Sequence, residues 1–391
     1  MVRSAPALAN PDILKWARKK IGYDIDEAAK KIGISNPKKL EAAEEGKEKI
    51  TIKQLRKAAN VYNRTFPLFF LNEIPKDAVN PDFRFVFEST SMQITPKAKK
   101  RILDIAAQRD FLLEITNKEE QSFKYDSFSI SKDQDSETIA ERIREILNIG
   151  YETQTSWSNE YKAFNTWRDS IEHAFGILVY QFKGLDIHDL RGFCIHNRPF
   201  PVIGINRKDS PEARCFTLMH ELGHVLLKSN DICKEEDLLL KKHDEDEVFC
   251  NFLAGEILVP KKNILDEPLV KAHRLNDPWD DTDLKKLSRK YKVSIEVILR
   301  RLLILNRAKK EEYKEFRKVT GSYRPANGSD GGSTGFNWYR GYISRQSHYY
   351  LKKLIDKVDK GDISVIDASL NSHVKINNFN RLAREFNELY R

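Results

Sequence analysis

Apolar residues recur three and four positions apart over most of the chain, the period of helices with one buried face. The first such segment, up to about Glu73, divides into short helices. Asp24 followed by Glu27 has capping-box spacing and opens a helix from Ile25 to Ile32, which Gly33 ends. Asn36 and Pro37 supply an N-cap and an N1 proline for a helix to about Glu45, stopped by Gly46. Thr51 with Gln54 is a second capping box, opening a helix from Ile52 to Tyr62. A helix, a tight glycine turn and a second capped helix predict a helix-turn-helix arrangement. A connecting segment follows, from Asn72 to about Gln93. The spacing then predicts a long helix from Pro96 to about Thr116, with Ile102, Ile105, Ala106, Phe111 and Leu112 as its apolar positions. Two more helices are expected, from Ser136 to Leu147 and from Trp157 to Phe175.

The pattern changes at Gly176. Ile177 to Phe182 is β-rich. Gly192 to His196 and Pro201 to Asn206 flank a short loop and read as a hairpin, which would offer an edge strand to an extended peptide. Ser210 and Pro211 then open a helix, and a polar, charged insertion runs from Lys228 to His243. Asp244 to Leu258 reads as a helix closed by Pro260, and helices continue through Ala308. Gly321 to Gly335 is Gly/Ser-rich and reads as a linker. The remainder, from Phe336, carries two or three amphipathic helices.

Composition narrows the class. The chain has 391 residues, 40% hydrophobic and 32% charged, enough to bury a real core. The formal net charge of +9 favours an anionic partner, nucleic acid first, or simply a basic enzyme kept in solution by its lysines. Four cysteines, Cys194, Cys215, Cys233 and Cys250, fit neither a disulfide framework nor a CxxC ribbon. With no apolar run long enough for a bilayer and no signal-peptide pattern at Met1 to Asn10, the expectation is a cytoplasmic protein without a membrane partner.

The strongest chemical signal is His220-Glu221-Leu222-Gly223-His224. Residues four apart share a helix face, so both imidazoles can reach one ion. Glu221 stands where this motif places a general base beside the attacking water. The ion expected is Zn2+. Two histidines need a third protein ligand, and helical spacing favours Glu247, which shares a face with Cys250, Asn251, Ala254 and Leu258. Cys250 as a thiolate and His243 from the loop are the alternatives. Asp244 and Glu245 suit an acidic first turn. Thr217, on the face of the histidines, is a candidate to support them by hydrogen bonding, and Asn251 is another. Gly223 would let a neighbouring backbone come close. His196 is a candidate transition-state donor, against the plainer reading of an exposed loop histidine.

The stretch Arg214 to His224, and Glu247-x-x-Cys250-Asn251-x-x-Ala254-x-x-x-Leu258-x-Pro260, resemble the core of the ImmA/IrrE-type metallopeptidases. The N-terminal pattern resembles the XRE-like helix-turn-helix fused to long members of that family. The resemblance covers most of residues 10 to 310. It implies that Glu247 is the third zinc ligand and that the substrate is a regulatory protein, an XRE-type transcriptional repressor, in stress responses or mobile-element control. The insertion between His224 and Glu247 departs from the family in length and charge. The fold class expected is α+β and mostly helical. A helix-turn-helix domain (1–75) precedes a zincin-like metallopeptidase domain with a small β-sheet (76–310). A linker (311–335) and a helical C-terminal region (336–391) follow.

Residues 1–72 hold 15 Lys or Arg against eight Asp or Glu, which suits phosphate contacts. Lys38 and Lys39 lie in the first turn of the presumed recognition helix and are its candidate DNA contacts. Glu41, Glu44 and Glu45 load the rest of that helix with negative charge, and it lacks Arg, Asn or Gln to read bases. Weak DNA binding or docking of a partner protein is therefore expected. Competing with the peptidase reading are a DNA-binding regulator with a sensing or structural metal, and a toxin–antitoxin component acting by binding alone.

Overall fold

The computed structural model describes residues 5–74, 94–227, 231–233, 245–274, 277–320 and 337–390, with only the backbone of 231–233. The chain folds as two compact units, Met1–Asp104 and Ile105–Arg391. Among the described residues no helix is long and apolar enough to cross a membrane.

The first unit holds α1 (Pro11–Ile21), α2 (Ile25–Ile32), α3 (Pro37–Glu44), α4 (Ile52–Val61) and a short 3-10 turn, Phe66–Phe70. Polar caps set each start. Asn10, Asp24 and Asn36 accept the N–H groups of Asp12, Glu27 and Lys38, and Thr51 with Gln54 makes the full reciprocal box. At Gly33 the backbone is left-handed, φ 84°, and α2 turns there into α3. Ala28, Ala29, Ile32, Ile34, Leu40 and Ala43 bury the inner faces of this pair. Glu44 departs from expectation. It is buried, and its carboxylate accepts from Arg18 Nε at 2.7 Å and Nη2 at 2.8 Å. It therefore adds no negative charge to the outer face of α3.

A long helix, α5 (Pro96–Ile115), runs from the first unit into the second. Within the second unit follow α6 (Ser136–Ile146), α7 (Tyr151–Ser156) and α8 (Glu160–Phe175). The last starts three residues later than the spacing predicts, because Asn159 caps it by accepting from the Lys162 N–H. Three strands come next, β1 (Leu178–Phe182), β2 (Gly192–Ile195) and β3 (Val202–Asn206). β2 and β3 form the expected antiparallel hairpin, with Gly192 opposite Ile205 and Ile195 opposite Val202. Arg109 on α5 clamps its loop, donating to the carbonyls of Phe200, Asn197 and Pro199. β1 runs parallel to β3. A fourth strand, β4 (Asp231–Cys233), pairs with β2, so the order is β1-β3-β2-β4.

This order corrects two expectations. The hairpin strands are interior and offer no free edge. The edge beside them comes from the segment that reads as a polar insertion, whose other residues, His243 included, lie outside the described ones, as does Asp244 after it. At the opposite edge, the Gln181 N–H of β1 donates to the Arg345 carbonyl at 2.8 Å.

The motif helix α9 (Pro211–Leu227) packs on β2, β3, α8 and α10 (Glu245–Leu258). After it come α11 (Lys261–Asp266), α12 (Pro268–Ala272), α13 (Asp281–Tyr291), α14 (Ile295–Ile304) and α15 (Lys310–Thr320). The last occupies residues expected as linker, since its Tyr313 buries against the core and Glu311 and Glu312 suit its first turn. The rest of the expected linker lies outside the described residues.

The C-terminal helices are α16 (Trp338–Ile343), α17 (His348–Asp359), α18 (Val365–Ser372) and α19 (Ile376–Leu389). They join α8 through a closed polar cluster. Arg168 Nη1 donates to the Ser344 carbonyl at 3.0 Å, and Arg168 Nη2 lies 3.1 Å from His348 Nδ1. His348 Nδ1 also lies 2.7 Å from Asp169 Oδ1, and Tyr390 Oη is 2.8 Å from its Nε2. Beside them the buried Glu172 carboxylate accepts the N–H groups of Val179 and Tyr349, each at 2.9 Å.

Candidate metal centre

The residues of α9 from Arg214 to Leu226 are all buried, so the motif lies inside the unit rather than on its surface. His220 and His224, one turn apart, bring their Nε2 atoms to 3.1 Å. Glu247, in the first turn of α10, closes the triangle. Its Oε1 lies 3.0 Å from His224 Nε2 and its Oε2 3.3 Å from His220 Nε2. Donor atoms on a tetrahedron with bonds of about 2.0–2.1 Å stand roughly 3.3–3.4 Å apart, so the three already have nearly the separation that a small cation needs. Glu247 Oε2 is buried without a hydrogen bond, which a bound cation would correct.

The electrostatics fit the same purpose. Burial pushes the His220 imidazole below its usual pKa, and the neutral ring is the form that ligates metals. Burial alone would raise Glu247, yet His220 and His224 outweigh it and hold its carboxyl well below the usual carboxylate range. It is therefore an anion between two imidazole nitrogens.

Close packing sets the spacing of the two helices. A Cβ at Gly223 would stand 2.9 Å from Cys250 Sγ and 3.4 Å from its Cα, so glycine lets α10 approach at that point. Cys250 is thus a packing residue. Burial raises its thiol pKa, which disfavours the thiolate that a metal ligand requires.

Glu221 is fully buried, and its carboxylate lies against the backbone of β2. A Cβ at Gly192 would come within 2.5 Å of Glu221 Oε1 and 2.8 Å of Thr217 Cγ2. The Thr217 hydroxyl donates to the Ala213 carbonyl at 3.3 Å, so its oxygen serves its own helix while its methyl packs beside Gly192. The Asn251 Oδ1 is buried one turn beyond Glu247 with no hydrogen-bond partner. His196 follows the far end of β2, about 13 Å along the strand from Gly192 at the usual rise. That placement removes it as a transition-state donor beside Glu221. Lys38 and Lys39 are exposed on α3, as expected of surface contacts. Glu245 is exposed and pairs with Lys132 rather than with the histidines.

Two features carry no local sequence signal. Gly192 matters only because of the register between β2 and α9. Arg300, on α14, holds its guanidinium 5.8 Å above the Phe216 ring, and that ring stacks on His220 at 6.4 Å. Its charge also helps to keep His220 neutral.

Two imidazoles on one helix, closed by a carboxylate from the next and backed by a small sheet, make a compact divalent-metal ligand set. Residues 173–303, about a third of the chain, match the profile of the IrrE N-terminal-like domain, Peptidase M78. The matched stretch contains Gly192, His220, Glu221, His224, Glu247 and Arg300. It supports a metallopeptidase of the ImmA/IrrE type for this part of the chain. No curated protein matches the chain.

Proposed function

We propose that the chain is a zinc-dependent endopeptidase that cleaves a regulatory protein, an XRE-type transcriptional repressor. The convergence of His220 Nε2, His224 Nε2 and a Glu247 carboxylate oxygen within 4.8 Å carries this reading. Zinc held there supplies a Lewis acid that makes a water molecule more acidic and a peptide carbonyl more electrophilic. Glu221, next to His220 and steadied against β2, takes the proton of the attacking water. It passes that proton to the nitrogen of the breaking peptide bond, so the products leave as an acid and an amine. Burial of the site strengthens each of these charge interactions. The α2–α3 pair is the helix-turn-helix of this reading, with Lys38 and Lys39 free to meet phosphates or an acidic partner surface.

Elemental analysis of protein purified without added metal tests the assignment. Near-stoichiometric zinc is expected in the wild type, with a sharp loss in Glu247→Ala. Well-folded wild-type protein free of metal would overturn it.

A further inference from the structure

The C-terminal helices repeat, with different side chains, the device seen at α2–α3. A reciprocal capping box between Ser364 and Asp367 opens α18, which runs eight residues and ends at His373. His373 is left-handed, φ 56°, the conformation that Gly33 adopts after α2. A three-residue turn, His373 to Lys375, then leads into α19, a linker of the length that joins the two helices of a DNA-binding helix-turn-helix. The inward positions form one unbroken set: Ala368, Ser369 and Ser372 on α18, Val374 in the turn, Phe379, Leu382 and Phe386 on α19. Hydrogen bonds fix the turn. Ser369 Oγ donates to the Val374 carbonyl at 2.5 Å, and Tyr342 Oη to the Ser372 carbonyl at 2.6 Å.

The outward face of α19 is what separates the two pairs. With Phe379, Leu382 and Phe386 turned inward, the 3.6-residue period points Asn377, Asn380 and Arg384 outward, and all three are exposed, whereas the Arg381 guanidinium lies 4.8 Å from the Tyr339 ring of α16. Asparagine pairs bidentately with adenine and arginine with guanine in the major groove. Lys375 occupies the N-cap position of the helix without a side-chain capping bond, at the end where the peptide dipoles also favour a phosphate. The outer face of α3 offers Lys38, Lys39, Glu41 and Glu45 instead, charges without base-reading geometry.

We propose that residues 364–389 form a DNA-binding helix-turn-helix, with α19 reading base edges in the major groove through Asn377, Asn380 and Arg384. The proposal stands independently of the peptidase reading. Ile366 and Leu370 are also exposed on α18, 57% and 67%, and would suit an apolar protein partner. They belong to α18, whereas the exposed Asn and Arg side chains of α19 favour DNA.

The test is selection of sequences from a random pool of duplex DNA by the full chain, followed by binding measurements on the selected duplex. An enriched sequence is expected. Asn377→Ala and Asn380→Ala should each weaken binding to it about 10- to 100-fold. Because they remove no charge, they should leave affinity for random duplex unchanged, and circular dichroism should show the fold intact. Lys38→Ala/Lys39→Ala should keep the sequence preference. Three results overturn the proposal. The pool yields no enriched sequence, the α19 variants bind the selected duplex like the wild type, or Lys38→Ala/Lys39→Ala alone abolishes the preference. Absence of enrichment together with self-association removed by Ile366→Asp/Leu370→Asp would make this face a protein interface instead.

Discussion

Among the described residues of the second unit two histidine clusters are buried, and one of the two contains its own cation. Around His348 the charges close among themselves: Arg168 serves as cation, Asp169 as anion, and Tyr390 and the Ser344 carbonyl complete the hydrogen bonds. Around His220 there are two imidazole nitrogens and the Glu247 carboxylate, with lone pairs converging on one small volume. Burial keeps both His220 and His348 neutral. The difference lies in what balances the acid. A guanidinium makes the first cluster a joint between α8 and the C-terminal helices. The second is balanced when an external cation arrives, as a ligand set should be.

Substitutions on the two sides should then fail differently. The largest effect is expected for Glu221→Gln, which should lower the rate of cleavage of the proposed repressor substrate about 10²- to 10⁴-fold while bound metal stays at the wild-type level. Equal cleavage by the variant would move proton transfer to another group and erase the chemical side of the contrast. Arg168→Met should act on stability and not on metal. Removing one partner of a fully buried ion pair costs about 3–5 kcal/mol, but Asp169 keeps 42% of its side chain exposed, so a loss of about 1–3 kcal/mol is expected, mostly from the hydrogen bonds Arg168 gives up. Urea unfolding with parallel metal analysis checks this. Loss of metal in Arg168→Met would show that the two clusters are coupled.

The smallest effect concerns pH. Burial raises the Glu172 carboxyl to about 7, above its unfolded value. The folded state therefore binds the extra proton, and the stability this contributes is full below about pH 4.5 and lost as pH rises through 7. His348, pushed down to about 4 by burial and by Arg168, acts oppositely: its contribution is present above about pH 6.5 and lost as pH falls through 4. Glu172→Gln should flatten the decline between pH 4.5 and 7, by about 1–3 kcal/mol, in urea midpoints across that range. An unchanged slope would mean that Glu172 is ionised in the fold.

What could be read in the sequence was local. His220 and His224 follow from helical spacing and Glu221 from its place in the motif, while spacing only favours Glu247 over Cys250 and His243 and the family resemblance implies it. The caps at Asp24, Asn36 and Thr51 are likewise written in neighbouring residues. Gly192 was not legible as part of the site, because its meaning depends on a carboxylate packed across from another element. The same holds for Arg300 and for the Arg18–Glu44 pair, 26 residues apart. β4 was hidden because its pairing with β2, not its own charged sequence, makes it a strand. The turn between α18 and α19 escaped notice because histidine stands where glycine usually marks a left-handed residue.

The bond from the Gln181 N–H to the Arg345 carbonyl has a further consequence. Exposed sheet margins recruit strands from other molecules, and such recruitment seeds aggregation. With the β1 side occupied by its own chain, that margin of the sheet is closed to recruitment. The segment between α16 and α17 thus acts as a stopper on the sheet, protecting the β1 margin from self-association as well as joining α8.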